Sequence, residues 1–267
     1  MFTRKPFYTN PRYRLMSNQQ ERKEDYMENN FVLHKAGTRG HADHGWLNTY
    51  HTFSFADYYE SQRVQFGALR VLNDDTVAPG MGFGTHPHAN MEIISIPTSG
   101  DLEHKDSMGN VQVIKQGDIQ VMSAGSGITH SEYNRNRDKP VKFFQIWVFP
   151  DRKNVEPRYG QITLNAADRK NKLQQIISPS PEDEGLWIHQ QTWFHLATLD
   201  AGKEINYSLK KNDNGIYVFV IEGKVSVESQ LLERRDGMGI IDKSEIKINS
   251  IENSEILLME LPMHTRY

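Results

Sequence analysis

The sequence of 267 residues contains no cysteine. This absence excludes disulfide bonds, thiolate metal ligands and cysteine nucleophiles, so any bound metal must take nitrogen and oxygen ligands. No apolar run reaches the length of about 18 residues that a membrane helix needs, and the N-terminus lacks the apolar stretch of a secretory signal. We therefore expect a cytoplasmic protein that makes no contact with a membrane.

The sequence also lacks a large excess of charge of either sign. The sequence has 31 Lys and Arg residues against 34 Asp and Glu residues, for a formal net charge of -3. No net basic field is available to neutralise nucleic-acid phosphates, so we expect no direct nucleic-acid partner. The chain is 37% hydrophobic and 10% aromatic, which is enough apolar material for packed cores.

The order of apolar and turn-forming residues indicates an all-β protein of two domains. Residues 1–26 are polar, and we expect them to form a flexible arm. From about residue 31 onward, short apolar runs alternate with Gly, Pro, Asn and Asp, as in β-sandwiches and β-barrels. Residues 165–181 instead predict a helix, with Asn165 as its N-cap. Since two domains also suit the length, we predict one domain over 27–150 and a linker with a second domain over 151–267.

An internal repeat supports this division. Residues 92–106 align without a gap on residues 215–229 when Gly100 is set opposite Gly223. This alignment indicates that one small domain was duplicated. In the same alignment His86 falls opposite Leu209, His88 opposite Lys211 and Glu92 opposite Gly215, so the second copy lacks these candidate ligands. We therefore expect any chemistry in the first domain.

Two short motifs in the first domain predict a metal site. His86 and His88 are two residues apart in GMGFGTHPHANME, so on a strand they share one face. His130 and Glu132 have the same spacing in GDIQVMSAGSGITHSEYN, so a second strand would present an imidazole and a carboxylate. If the two strands are neighbours, four ligands meet. Such a set suits divalent iron, manganese, nickel, copper or zinc and leaves up to two positions open in an octahedral site.

These motifs, together with LEHKDSMGN and GHADHGWLNTYHTFSF, resemble the pirin family of the cupin superfamily over nearly all of the chain from residue 31 onward. The first cupin motif, Gly, five residues, His-x-His, three residues and Glu, is matched by Gly80, His86, His88 and Glu92.

The second cupin motif is matched less completely. Its core, Gly-x-x-His-x-x-x-Asn, fits Gly127, His130 and Asn134, but Gly117 lies two residues too far upstream and the usual proline is missing.

The resemblance implies an all-β bicupin fold, in which two small jelly-roll β-barrel domains pack together with a minor helix between them. It also implies one divalent metal ion held by His86, His88 and His130. In many cupins the residue equivalent to Glu92 is the fourth ligand, whereas the pirin pattern assigns that place to Glu132. We carry the role to Glu132 and keep Glu92 as the alternative. The metal implied by the resemblance is Fe2+, with manganese, nickel, copper and zinc as alternatives.

The resemblance further implies a function. Pirin-like proteins cleave flavonols such as quercetin with dioxygen, so the expected substrates are a small aromatic or enolic molecule and O2, with Glu132 as ligand and catalytic base. The alternative is a metal- and redox-responsive protein that binds a transcription factor or a metabolic enzyme without turnover.

One further histidine of the first domain, His104, follows the turn at Gly100. We interpret it as a strand histidine with a hydrogen-bond partner and do not include it among the ligands. Its replacement is therefore predicted to leave the metal in place.

Overall fold

The structure, a computed structural model, describes residues 30–264. The expected flexible arm, residues 1–26, lies outside the described residues. Within the described part of the chain, no helix has the length and apolar character needed to cross a membrane.

The prediction of an almost entirely β protein is confirmed. The strands of the first part of the chain are β1 (Phe31–His34), β2 (Gly40–Asp43), β3 (Leu47–His51), β4 (Leu69–Val77), β5 (Gly82–His88), β6 (Glu92–Ser99), β7 (Asp101–Asp106), β8 (Val111–Lys115), β9 (Asp118–Ser123), β10 (Ile128–Asn134), β11 (Val141–Val148) and β12 (Arg158–Thr163). Those of the second part are β13 (Gln174–Ser178), β14 (Leu186–Trp187), β15 (Trp193–Leu199), β16 (Glu204–Ser208), β17 (Asn214–Glu222), β18 (Lys224–Val227), β19 (Gln230–Glu233), β20 (Gly237–Ile240), β21 (Glu245–Ser250) and β22 (Ser254–Pro262). Two 3-10 helices span Ala36–Thr38 and Ala166–Arg169.

The strands form four sheets, two for each half of the molecule. The first large sheet has the order β12-β9-β6-β11-β4-β3-β2, and the first small sheet has the order β5-β10-β7-β8. The second large sheet has the order β1-β20-β17-β22-β15-β13-β14, and the second small sheet has the order β16-β21-β18-β19. Each half is thus a sandwich of one large and one small sheet.

The two large sheets pack against each other, so the main hydrophobic core lies between the halves. This core contains Phe144 of the first large sheet and Phe219 and Leu257 of the second. The rings of Phe144 and Phe219 meet edge to face with centroids 5.4 Å apart, an arrangement that aromatic pairs favour.

The central strands of the large sheets are buried on both faces. Phe143 enters the core inside the first sandwich, whereas its neighbour Phe144 enters the core between the halves. Leu257 and Leu258 divide in the same way in the second half. The double burial explains why these strands read as continuous apolar runs rather than as alternating ones.

The helix predicted over residues 165–181 is wrong beyond its first turn. Asn165 does cap a helix, since its side chain accepts a hydrogen bond from the Ala167 N–H at 3.1 Å, but that 3-10 helix ends at Arg169. Asn171 then takes a positive φ of 56°, and β13 begins at Gln174. Pairing with β15 and burial of the β13 isoleucines in the core between the halves override the local helix propensity.

Each large sheet includes one strand from outside the predicted limits of its own half. β1 pairs with β20 in the second large sheet, and β12 pairs with β9 in the first large sheet. The chain therefore crosses between the sandwiches twice, and the domain limits of 27–150 and 151–267 stay a prediction.

The repeated segment forms the same turn between the large and the small sheet in both halves. Gly100 joins β6 to β7 with a φ of 78°, and Gly223 joins β17 to β18 with a φ of 84°. An L-residue rarely adopts this left-handed conformation, so both turns require glycine. The two turns occupy corresponding places in the two sandwiches, since each joins a strand of the large sheet to a strand of the small one.

Candidate metal centre

Three histidines converge on the first small sheet. β5 and β10 are antiparallel neighbours, with His86 directly opposite His130. The ring centroids lie 4.4 Å apart for His86 and His130, 4.8 Å for His86 and His88, and 4.9 Å for His88 and His130. One nitrogen of each ring lies within 4.8 Å of the other two. The structure therefore brings together the two histidine motifs that the sequence places on separate strands.

The close approach of β5 to β10 depends on a glycine. A Cβ atom at Gly82 would collide with the backbone of Glu132 and Tyr133 on the facing strand. Since the two strands can only pair this closely when position 82 has no side chain, we infer that Gly82 sets the distance between the two histidine motifs.

The three imidazoles suit a divalent metal ion. Burial, followed by the charge of His86, lowers the pKa of His88 to about 4. Burial and the neighbouring histidines lower that of His130 to about 2. Both rings are thus neutral at pH 7, as metal ligands must be. Their Nε2 atoms are buried without a hydrogen-bond partner, and His86 Nδ1–H donates to the Gly84 carbonyl at 2.8 Å, which leaves its Nε2 free.

Glu132 is as buried as His130, since both residues are 2% exposed. A bulge between His130 and Glu132 shifts the register against β5. Gln145 Nε2–H donates to the Glu132 carboxyl group at 2.6 Å, and the Ser95 hydroxyl donates to it at 3.1 Å. Burial raises the pKa of Glu132 to about 7. One of its oxygens lies within 4.8 Å of nitrogens of His104 and His130, in a second group that shares His130 with the first.

Glu92 faces away from the histidines. It is 1% exposed and accepts a hydrogen bond from the Ser123 hydroxyl at 2.6 Å. On the same strand Ile94 enters the core between the halves, whereas Ile93 packs in the cluster with Ile128 beside the histidines. Strand alternation therefore places Glu92 on the face of Ile94, and among the described residues it belongs to neither group of potential ligands.

A cleft of about 560 Å³ opens beside His88. Its walls are Pro87, His88, Ala89, Ser107, Gly127, Ile128 and Thr129. On the inner side, the Trp147 ring stands edge-on to His88 with centroids 4.9 Å apart, and its indole N–H is buried without a hydrogen-bond partner. A small molecule in the cleft would thus lie against one of the three histidines.

A buried aspartate near this site predicts a pH effect on stability. Asp75 accepts a hydrogen bond from the Thr49 hydroxyl, and burial raises its pKa from 3.8 to about 7. Between these two values the folded state holds a proton that the unfolded state has lost, so stability falls as pH rises. Relative to Asp75→Asn, the free energy of unfolding of the unsubstituted protein should fall by up to about 1.4 kcal/mol per pH unit between pH 5 and 7.

Urea unfolding of both metal-free proteins at pH 5, 6 and 7 measures this difference. Asp138→Asn, at an exposed position, is the matched control and should follow the unsubstituted protein. Parallel pH profiles for Asp75→Asn and the unsubstituted protein would contradict the prediction.

Paired β-sandwiches with a histidine cluster on the small sheet of the first define a two-domain protein of the cupin type. Family models match residues 30–148, described as pirin, and residues 175–261, described as the quercetinase C-terminal cupin domain. The chain belongs to the pirin family.

Several relatives match most of the chain. A quercetin 2,3-dioxygenase of Escherichia coli (strain K12) is 40% identical over 230 residues, which are 86% of this chain and 98% of the relative. A pirin-like protein of Caulobacter vibrioides is 41% identical over 222 residues, 83% of this chain and 95% of the relative. The crystal structure of the bacterial pirin YhhW from Escherichia coli in complex with nickel(II) superposes with a TM-score of 0.83 at 38% identity, covering 87% of this chain and 99% of that one.

Proposed function

We propose that this protein is a metal-dependent dioxygenase of the pirin type, which cleaves a flavonol such as quercetin with O2 at a mononuclear centre. The ligands in this proposal are His86, His88, His130 and Glu132. The observation that carries it is the convergence of neutral imidazoles, two of them with buried and unpaired Nε2 atoms, beside a cleft. Buried polar atoms without partners are rare in native proteins, and a divalent ion would satisfy these.

The metal we propose is Fe2+, with manganese, nickel, copper and zinc as alternatives. The nitrogen and oxygen donors suit all of them, and the relative YhhW binds nickel(II) in its crystal structure. When bound, the metal supplies Lewis-acid stabilisation to a deprotonated hydroxyl group of the substrate.

The residues around the site would bind and orient the substrate. Ile128 and Pro87 give the cleft apolar walls for flat aromatic rings, and burial of those rings excludes water from the reacting atoms. The unpaired indole N–H of Trp147 is available to donate a hydrogen bond to a substrate oxygen.

Glu132 would accept the proton of the substrate hydroxyl group. Burial raises its pKa to about 7 in the metal-free protein, and coordination to a metal ion would favour the ionised form that a base needs. Gln145 and Ser95 hold the carboxylate by hydrogen bonds, so it can receive that proton without changing its orientation.

Dioxygen uptake with quercetin tests this function. Protein reconstituted with Fe2+ should consume O2 and quercetin together, whereas His88→Ala and a blank of quercetin alone should not. No uptake at full metal occupancy would overturn the proposal. It would favour a redox-responsive protein that binds a transcription factor or metabolic enzyme without turnover.

A further inference from the structure

We propose that Asp106 and His104 form an outer hydrogen-bonded relay that fixes the tautomer of His130 and directs its Nε2 lone pair at the metal. This inference rests on the proposed metal site. It assigns a role to two buried residues that the proposed reaction does not use, and their role is one of positioning.

The relay begins with the register of two strands. β7 is the neighbour of β10 on the side away from β5, with His104 opposite Glu132 and Asp106 opposite His130. His104 and Asp106 are two residues apart, so both side chains project from the same face of β7. Both side chains are fully buried. His104 Nε2 lies 3.0 Å from Asp106 Oδ2, and His104 Nδ1 lies 3.5 Å from His130 Nδ1.

Asp106 is held as a hydrogen-bond acceptor. The backbone N–H groups of Met108 and Asn110 each donate to its Oδ1 at 3.0 Å. The Asn110 side-chain amide donates to its Oδ2 at 2.8 Å. A carboxylate surrounded by donors accepts from His104 as well, so the proton between His104 and Asp106 belongs to His104 Nε2.

The tautomer of each ring then follows from the one before it. A neutral imidazole with a proton on Nε2 has an acceptor at Nδ1, so His104 Nδ1 accepts from His130. His130 therefore carries its proton on Nδ1, and its Nε2 is left with a free lone pair. That atom is the buried nitrogen of His130 without a partner. Outer hydrogen bonds of this kind orient metal-binding histidines and select their tautomer.

The same geometry separates His104 from the ligands. His104 belongs by distance to the second group, with His130 and Glu132. Both of its nitrogens are engaged, however, one with Asp106 and the other with His130. A metal bound to His104 would have to displace one of these partners, so the relay assigns it a place outside the coordination shell.

The metal-free protein provides the first test. Two-bond 1H–15N correlation spectra of protein labelled at its 11 histidines report which nitrogen of each ring is protonated, and the signal missing in His130→Ala identifies His130. We expect the Nδ1–H tautomer. The Nε2–H tautomer in the unsubstituted protein would overturn the relay without the need for any variant in its machinery.

Asp106→Asn provides the second test, because the structure fixes how the new amide must point. The two backbone N–H groups at Oδ1 require an oxygen there, so the amide nitrogen would occupy the place of Oδ2 and donate to His104. The Asn110 side-chain amide, which donates to Oδ2 in the unsubstituted protein, would turn its oxygen toward the new amide nitrogen. His104 would then carry its proton on Nδ1, and His130 would carry its proton on Nε2. We expect this exchange in the spectrum and a nickel affinity about 10-fold to 100-fold lower by titration calorimetry.

His104→Leu removes the relay and serves as the comparison. It should lower nickel affinity by a similar factor and still bind one nickel ion at saturation. An unchanged tautomer and affinity in Asp106→Asn would overturn the relay, and so would a complete loss of nickel in His104→Leu, which would make His104 a ligand. If instead His88→Ala and His130→Ala keep full affinity, the metal site itself is wrong. No flavonol is used, so failure of the oxygenase activity would not affect the result.

Discussion

Replacement of His88 or His130 by alanine is expected to abolish stoichiometric binding of iron or nickel while the protein stays folded. Each substitution removes one of three converging imidazoles, and loss of a direct ligand should weaken binding by more than the roughly 10-fold to 100-fold that outer-shell changes cost. Folding should persist because the Nε2 atoms of both rings are buried without a hydrogen-bond partner. Their removal relieves a desolvation cost and breaks no hydrogen bond at that atom. Metal content after dialysis measures the loss, and circular dichroism reports the fold.

Two other histidines are the controls for this result. His44→Ala, at an exposed position, should keep both stoichiometry and affinity. His104→Ala should keep one metal ion per chain at saturation, with the reduced affinity that the relay predicts. Equal loss of metal in the His88, His130 and His104 variants would sink the assignment of ligands.

Strand alternation along the sequence shows which side chains of the two histidine motifs share a face, but not how the two strands pair. Strand alternation paired His86 with His88 and His130 with Glu132, and β5 and β10 are indeed neighbours. The register shift that sets Glu132 opposite Phe83 has no signature in the local sequence, because a bulge is defined by how two strands pair.

The interpretation of His104 as a strand histidine with a hydrogen-bond partner is confirmed by its contact with Asp106, but its place beside His130 was beyond the sequence reasoning. Its spacing from Asp106 is the same two-residue signal that identified the ligand pairs. Only the register of β7 against β10, however, brings it beside His130. A pattern along one strand shows which side chains share a face, and not which neighbouring strand that face meets.

The fold shows the same division between local and distant information. Short apolar runs and turn residues predicted an all-β protein with an internal repeat, since these depend on neighbouring residues. The helix over residues 165–181 failed because Ile176 and Ile177 are buried between the halves. The pairing of β1 with β20 joins segments about two hundred residues apart, and no local pattern encodes it.

Phe219→Ala is expected to lower the free energy of unfolding by about 3–5 kcal/mol, the usual cost of removing a buried phenylalanine. Phe219 is 1% exposed and packs on Phe144 in the core that both large sheets build. Because that core belongs to neither half alone, the halves should unfold in one transition. The substitution should therefore lower the urea midpoint of nickel release as much as the midpoint of unfolding of the second sandwich.

Urea unfolding followed by circular dichroism and by nickel release tests this coupling. Leu231→Ala, at a side chain 46% exposed, is the control and should change stability by less than about 1 kcal/mol. A double variant with Phe144→Ala should be less destabilised than the sum of the two single changes by about 0.5–1.5 kcal/mol, because the ring pair can be lost only once. Separate transitions, with nickel retained after the second half has unfolded, would show that the first sandwich folds without its partner and that the shared core does not couple them.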